Sequence, residues 1–180
     1  MKNLKEMSLQ EVGGYICNAL IHEGIHVVLS GGSCVEIYSQ GDYTSQDMDF
    51  INKYNEKKSK IKQVMLNLGF YEYERYFVHD DITHIIEFPP GPLGVGDAPV
   101  DKISSIKTKS GVLTILTPTD CIKDRLAAYY HWNDEQCLQQ AVWVADKNEF
   151  DLDSIKRWSY NESMQSKYQS FQNKLKTAQL

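Results

Sequence analysis

Apolar positions along the chain keep two rhythms, one near 3.6 residues and one of two, and the switches between them outline the elements. Ser8-Leu9-Gln10-Glu11 has the form of a capping box. Val12, Tyr15, Ile16, Ala19 and Leu20 then recur at helical spacing until Gly24, which predicts a helix over 8–23. The run Ile25-His26-Val27-Val28-Leu29 is rich in branched residues and closes on Ser30-Gly31-Gly32-Ser33, the pattern of a buried strand ending in a tight turn. A short helix over 34–38 and a polar loop follow. In Asp47-Met48-Asp49-Phe50-Ile51 acidic and apolar residues alternate, so a second strand is expected. Over 57–68, Ile61, Val64, Met65 and Leu68 share one helical face, and Gly69 ends it. The segments 70–78 and 83–88 read as an antiparallel pair joined through His79-Asp80-Asp81 and stopped by Pro89-Pro90-Gly91-Pro92.

Beyond the prolines, 93–100 reads as a surface loop, and 102–108 and 112–116 as two strands turned by Lys109-Ser110-Gly111. Thr117-Pro118-Thr119-Asp120 combines a capping hydroxyl, a proline at the first helical position and an acid at the positive end of the helix dipole. Helices are expected over 118–131, over 134–147 and from 151 onward, with the polar stretch after Tyr160 the most loosely docked. The expected class is therefore α+β. A mixed sheet flanked by helices over 1–116 carries a C-terminal helical segment, 117–180, packed on it as one unit.

Composition narrows the classes. With 180 residues, 42% hydrophobic and 24% charged, the chain is neither disordered, collagen-like nor coiled-coil. No stretch approaches the roughly 20 apolar residues of a membrane helix, and Met1-Lys2-Asn3-Leu4-Lys5-Glu6 lacks a signal-peptide core. A cytoplasmic location without a membrane partner is expected. Nineteen basic against 24 acidic residues give a net charge of −5, so any polyanion must be met by a local basic face. Cys17, Cys34, Cys121 and Cys137 are scattered without metal-ligand or disulfide spacing and read as reduced, mostly buried thiols.

The candidate chemistry lies in two pieces, Gly31-Gly32-Ser33 and Asp47-Met48-Asp49. Residues two apart on a strand point the same way, so Asp47 and Asp49 present both carboxylates on one face, about 7 Å apart along the backbone. Like charges held together favour a cation. Hard oxygen ligands suit Mg²⁺, which takes one or two carboxylates and completes its shell with water and phosphate. Gly31 and Gly32 let a backbone approach phosphate closely, and the Ser33 hydroxyl and the following helix N-terminus add donors.

With an apolar strand, Gly-Gly-Ser, a spacer and an acid-apolar-acid strand in that order, residues 25–88 resemble the nucleotidyltransferase superfamily typified by DNA polymerase β. Weaker similarity runs through the Thr117 to Ala145 helices, to small bacterial stand-alone and abortive-infection-type members. The resemblance implies a nucleotidyltransferase fold and a third carboxylate on a later strand. Glu87 is the best candidate, with Glu74 and Asp101 as alternatives. It implies a basic residue on a downstream helix contacting the triphosphate, Lys123 first and Arg125 second.

It further implies two-metal transfer of a nucleoside monophosphate from a nucleoside triphosphate to an acceptor hydroxyl. Asp47, Asp49 and Glu87 would hold Mg²⁺, or Mn²⁺ in its place. The acceptor stays open among RNA, a protein and a small molecule, and no oligomeric state is assigned. The rivals are a catalytically silent nucleotide-binding module of the same fold and the toxin component of a toxin–antitoxin pair.

Other features read more plainly. The basic run Lys53, Lys57, Lys58, Lys60 and Lys62 is a solvated helix face to which no partner is assigned. The five histidines show no paired ligand spacing, Tyr129-Tyr130-His131-Trp132 reads as core aromatics, and Gly91, Gly94 and Gly96 form no phosphate loop.

Overall fold

The computed structural model describes residues 3–179; Met1, Lys2 and Leu180, part of the expected N-terminal and C-terminal segments, lie outside them. After a 3-10 turn at Leu4–Glu6, α1 (Leu9–His22) starts on the expected capping box, with the Ser8 hydroxyl accepting from the Glu11 amide and the Glu11 carboxylate accepting from the Ser8 amide. β1 (Val27–Ser30) then passes directly into α2 (Gly31–Tyr38). Gly31, Gly32 and Ser33 are thus the first turn of the helix, not a turn ahead of it. The reversal is compressed into Gly31, whose φ of +65° is a conformation that glycine adopts without strain.

β2 (Asp47–Asn52) runs antiparallel to β1 and parallel to β5 (Ile85–Glu87), with α3 (Lys58–Asn67) in the connection. The expected single strand over 70–78 is instead a hairpin, β3 (Tyr71–Tyr73) and β4 (Tyr76–Val78), and β4 is the strand that pairs with β5. Glu74 takes φ +56° at the turn, and all three residues of β3 are exposed, so this outer strand has no apolar face to betray its bounds.

The 93–100 segment is not a free loop. It forms a separate hairpin, β6 (Gly94–Val95) and β7 (Ala98–Pro99), anchored by buried Leu93 and Val95. β8 (Ile103–Thr108) and β9 (Gly111–Leu116) complete a seven-stranded mixed sheet in the order β3-β4-β5-β2-β1-β9-β8.

The C-terminal segment holds α4 (Pro118–Trp132), α5 (Glu135–Lys147), α6 (Leu152–Asn161) and α7 (Gln165–Ala178). Ser163, at φ +60°, breaks the single helix expected from 151. Nor is the last stretch loosely docked: Tyr168, Phe171 and Leu175 are buried on one narrow face of α7. The Lys167 ammonium donates to the Tyr129 and Tyr130 carbonyls at 3.0 and 2.5 Å, closing the C-terminal end of α4. Trp158 on α6 donates its indole N–H to the Val95 carbonyl at 3.3 Å, and Glu162 accepts the Asp97 amide at 3.1 Å, so the small hairpin is tied to these helices.

The α+β architecture expected from the sequence, a mixed sheet flanked by helices with a helical C-terminal segment, is the one the chain adopts. α1 packs along β8 and β9, where Gly13 meets Leu113 and Met48 and Gly14 meets Thr108 and Gly111. α2 packs against β2 and is braced by α4 and α5. Two donors from the end of α5 fix its far end: Lys147 Nζ to the Ser39 carbonyl at 2.7 Å and Asn148 Nδ2 to the Tyr38 carbonyl at 2.8 Å. All four cysteines are free and buried. Among the described residues no helix is long and apolar enough to cross a membrane.

Candidate functional site

β2 sorts its side chains by parity. Met48 and Phe50 are wholly buried, Met48 reaching Gly13 of α1, while Asp47 and Asp49 are half-buried on the opposite face toward α2. In the parallel pairing of β2 with β5, Asp49 stands in register with Glu87, which places both carboxyl-bearing residues on one face of strands about 4.8 Å apart. Across β1 the Asp49 backbone faces Ser30, and the carboxylate lies against Gly31, where any Cβ would collide with Oδ2. Asp47, Asp49, Glu87 and Gly31 are therefore brought together.

Gly32 and Ser33 line the same corner, with the Ser33 hydroxyl already engaged. The Ser33 side chain is buried and its hydroxyl donates to the Asp47 carbonyl at 2.5 Å, and Gly32 packs against Ser45 and Tyr43. Ser30, the N-cap of α2, makes no side-chain cap; its hydroxyl donates to the Asp49 carbonyl at 3.3 Å instead. The first-turn amides of α2 thus keep the positive end of the helix beside the acids without a capping side chain.

Burial first, then the Asp47 and Glu87 charges, push the Asp49 carboxyl up to about 6, against a weaker opposing pull from Arg125. Asp124, next to Arg125 on α4, adds to the upward push. Arg125 itself is held between Asp124 at 2.5 Å, Gln140 Oε1 at 3.5 Å and Cys137 Sγ at 3.9 Å. Burial works against its charge, but Asp124, with smaller contributions from Cys137 and Cys121, keeps its pKa above that of an ordinary arginine. Glu87 accepts an ion pair from Arg75 Nε at 3.3 Å, and Asp47 Oδ1 accepts the Ser45 hydroxyl at 3.0 Å. The result is a negative pole rimmed by two arginines.

The donor set is all carboxylate oxygen, which fits Mg²⁺ or Mn²⁺ by chemistry. Among the described residues no cage of three or more His, Cys, Asp or Glu side chains that could hold a metal ion is found. Mg²⁺ needs no such cage, because one or two carboxylates with water and substrate phosphate satisfy it.

Lys123 lies elsewhere. It pairs with Asp120 at 3.2 Å and lines a concavity of about 310 Å³ with Asp101, Lys102, Thr119 and Asp151. Two residues along a helix rotate the side chain by about 200°, so Lys123 and Arg125 cannot serve one ligand from one face. Of the alternatives to Glu87, Glu74 sits exposed in the β3–β4 turn and Asp101 lines the Lys123 concavity. The lysine run is an exposed face in which Lys60 pairs with Glu56 and Lys62 with Glu72.

Sequence reasoning missed Ser45, Arg75 and Asp124. Period two extended backward from Asp47 and Asp49 would have found Ser45; the other two carry no local signal.

No family profile matches the chain, and no curated protein matches it. Among solved structures, the crystal structure of ANT(2″)-Ia in complex with adenylyl-2″-tobramycin is similar at 11% identity and a TM-score of 0.47, over 89% of this chain and 94% of that one. The solution structure of the antibiotic-resistance factor ANT(2″)-Ia is similar at 11% identity and a TM-score of 0.47, over 95% and 94%. Likeness at this level assigns neither chemistry nor substrate to the chain.

Proposed function

We propose that the chain is a Mg²⁺-dependent nucleotidyltransferase moving the nucleoside monophosphate of a nucleoside triphosphate onto an acceptor hydroxyl. One observation carries the reading: Asp47, Asp49 and Glu87 converge on one sheet face beside the uncapped first turn of α2. The amides of Gly31, Gly32 and Ser33 are the groups suited to the phosphates, and Arg125 supplies a fixed positive charge behind Asp49. Asp47 and Asp49 would hold Mg²⁺, or Mn²⁺ in its place, with Glu87 as the third oxygen ligand. When bound, such an ion neutralises phosphate charge and lowers the pKa of an attacking hydroxyl. In the reaction a bond forms between the acceptor oxygen and the α-phosphorus, the bond from that phosphorus to the bridging oxygen breaks, pyrophosphate leaves, and the hydroxyl proton passes to solvent. The acceptor hydroxyl belongs to an RNA, a protein or a small molecule.

The test is incubation of the chain with each labelled nucleoside triphosphate, Mg²⁺ and separated RNA, protein and small-molecule fractions. Label should move to one fraction with release of pyrophosphate, and Asp49→Asn should abolish it. Transfer undiminished in that variant overturns the proposal.

The ion pair between Arg75 and Glu87 favours a second reading, nucleotide binding without transfer, because an arginine already neutralises the third acid. Arg75→Ala separates the two. A transferase whose exposed arginine merely screens Glu87 should bind Mn²⁺ more tightly in the variant, with an unchanged melting temperature. A silent module should gain no transfer.

A further inference from the structure

Asp47 has one oxygen already engaged. Its Oδ1 accepts the hydroxyl of Ser45 at 3.0 Å, and Ser45 is 4% exposed. Ser45 is itself fixed from two further directions. Its amide donates to Glu36 Oε2 on α2 at 2.7 Å, and its hydroxyl lies against Gly32, where an added Cβ would come within 2.5 Å of Oγ. Across Glu36 stands His84, with Nε2 at 3.9 Å from Oε2 and no hydrogen-bond partner. His84 and Ser45 both wall a concavity of about 440 Å³ together with Thr44, Gln46 and Thr83.

We propose that Ser45 is a positioning residue for Asp47, locked by Glu36 and Gly32 so that its hydroxyl sets the rotation of the Asp47 carboxylate and leaves Oδ2 for a divalent cation. This rests on the reading of Asp47 as a cation ligand. Outer hydrogen bonds of this kind orient a ligating carboxylate, and their loss typically weakens metal binding about 10–100-fold. A carboxylate free to rotate loses that orientation while keeping its charge. Glycine at 32 gains a reason beyond phosphate approach, since any larger residue would push Ser45 off Asp47.

Mn²⁺ alone is the probe, its binding followed by the loss of the free-ion electron paramagnetic resonance signal, beside thermal unfolding without metal. Ser45→Ala should weaken Mn²⁺ binding about tenfold or more with the metal-free melting temperature little changed, and Ser45→Thr, which keeps the hydroxyl, should bind within a few-fold of the wild type. Glu36→Gln keeps an oxygen for the Ser45 amide and should behave like Ser45→Thr. Wild-type affinity in Ser45→Ala overturns the positioning role while leaving the cation site standing. A wild-type chain that binds no Mn²⁺ removes the cation site and the positioning role with it.

Discussion

Asp49→Asn keeps the side-chain size and removes a charge that the fold holds against its preference. Burial, Asp47 and Glu87 raise the carboxyl from the ordinary 3.8 to about 6. At about 1.36 kcal/mol per pH unit, that gap sets an upper bound of about 3 kcal/mol on the penalty for ionisation. Water reaches this half-buried face, so a gain of roughly 1–2 kcal/mol is expected from the substitution without divalent ions. The folded chain holds this proton more tightly than the unfolded chain does, so ionisation weakens the fold. The penalty is absent below about pH 4, grows between about 4 and 6, and is complete above 6. For a chain of this length the gain corresponds to a rise of roughly 2–8 °C in melting temperature at pH 7.5. The assay is thermal unfolding of both proteins in a chelator at pH 7.5 and near pH 4. The rise should shrink to nothing at the lower pH, and added Mg²⁺ should stabilise the wild type alone. An equal rise at both pH values, or a fall at pH 7.5, refutes the electrostatic account of the site.

Two further outcomes test its frame. Gly31→Ala places a Cβ against the Asp49 carboxylate at a φ of +65° and should destabilise by about 2–3 kcal/mol, read from the urea midpoint, with transfer lost. Arg125→Met leaves Asp124 without its partner. Since both side chains remain 18% and 26% exposed, the loss should reach about 1–3 kcal/mol in urea unfolding, below that for a fully buried pair.

How far the sequence discloses this arrangement depends on how sharply each position contrasts its two environments. Asp47-Met48-Asp49-Phe50 is readable because alternate residues meet solvent-facing polarity and a dry core. Glu87 follows from the resemblance, and the register beside Asp49 places it there. Gly31 and Gly32 mislead because glycine is a poor helix former, yet here they open a helix that packing against β2, α4 and α5 sustains. β3 shows no inward side, and α7 commits only Tyr168, Phe171 and Leu175 to the interior, so neither leaves a strong pattern. Lys123 and Arg125 differ in direction, which depends on how α4 is rotated against its neighbours; residue type cannot reveal that rotation.

The clamping of β2 between an antiparallel and a parallel neighbour makes the chain unequal in its tolerance of length changes. A residue inserted near Gln40 or Gly41 falls in an exposed turn with positive φ and can bulge into water. One inserted between Gln46 and Phe50 would exchange the two sides of the strand, turning carboxylates toward α1 and Met48 outward. Duplications and deletions that survive selection should therefore gather ahead of Ser45 and spare the few residues after it.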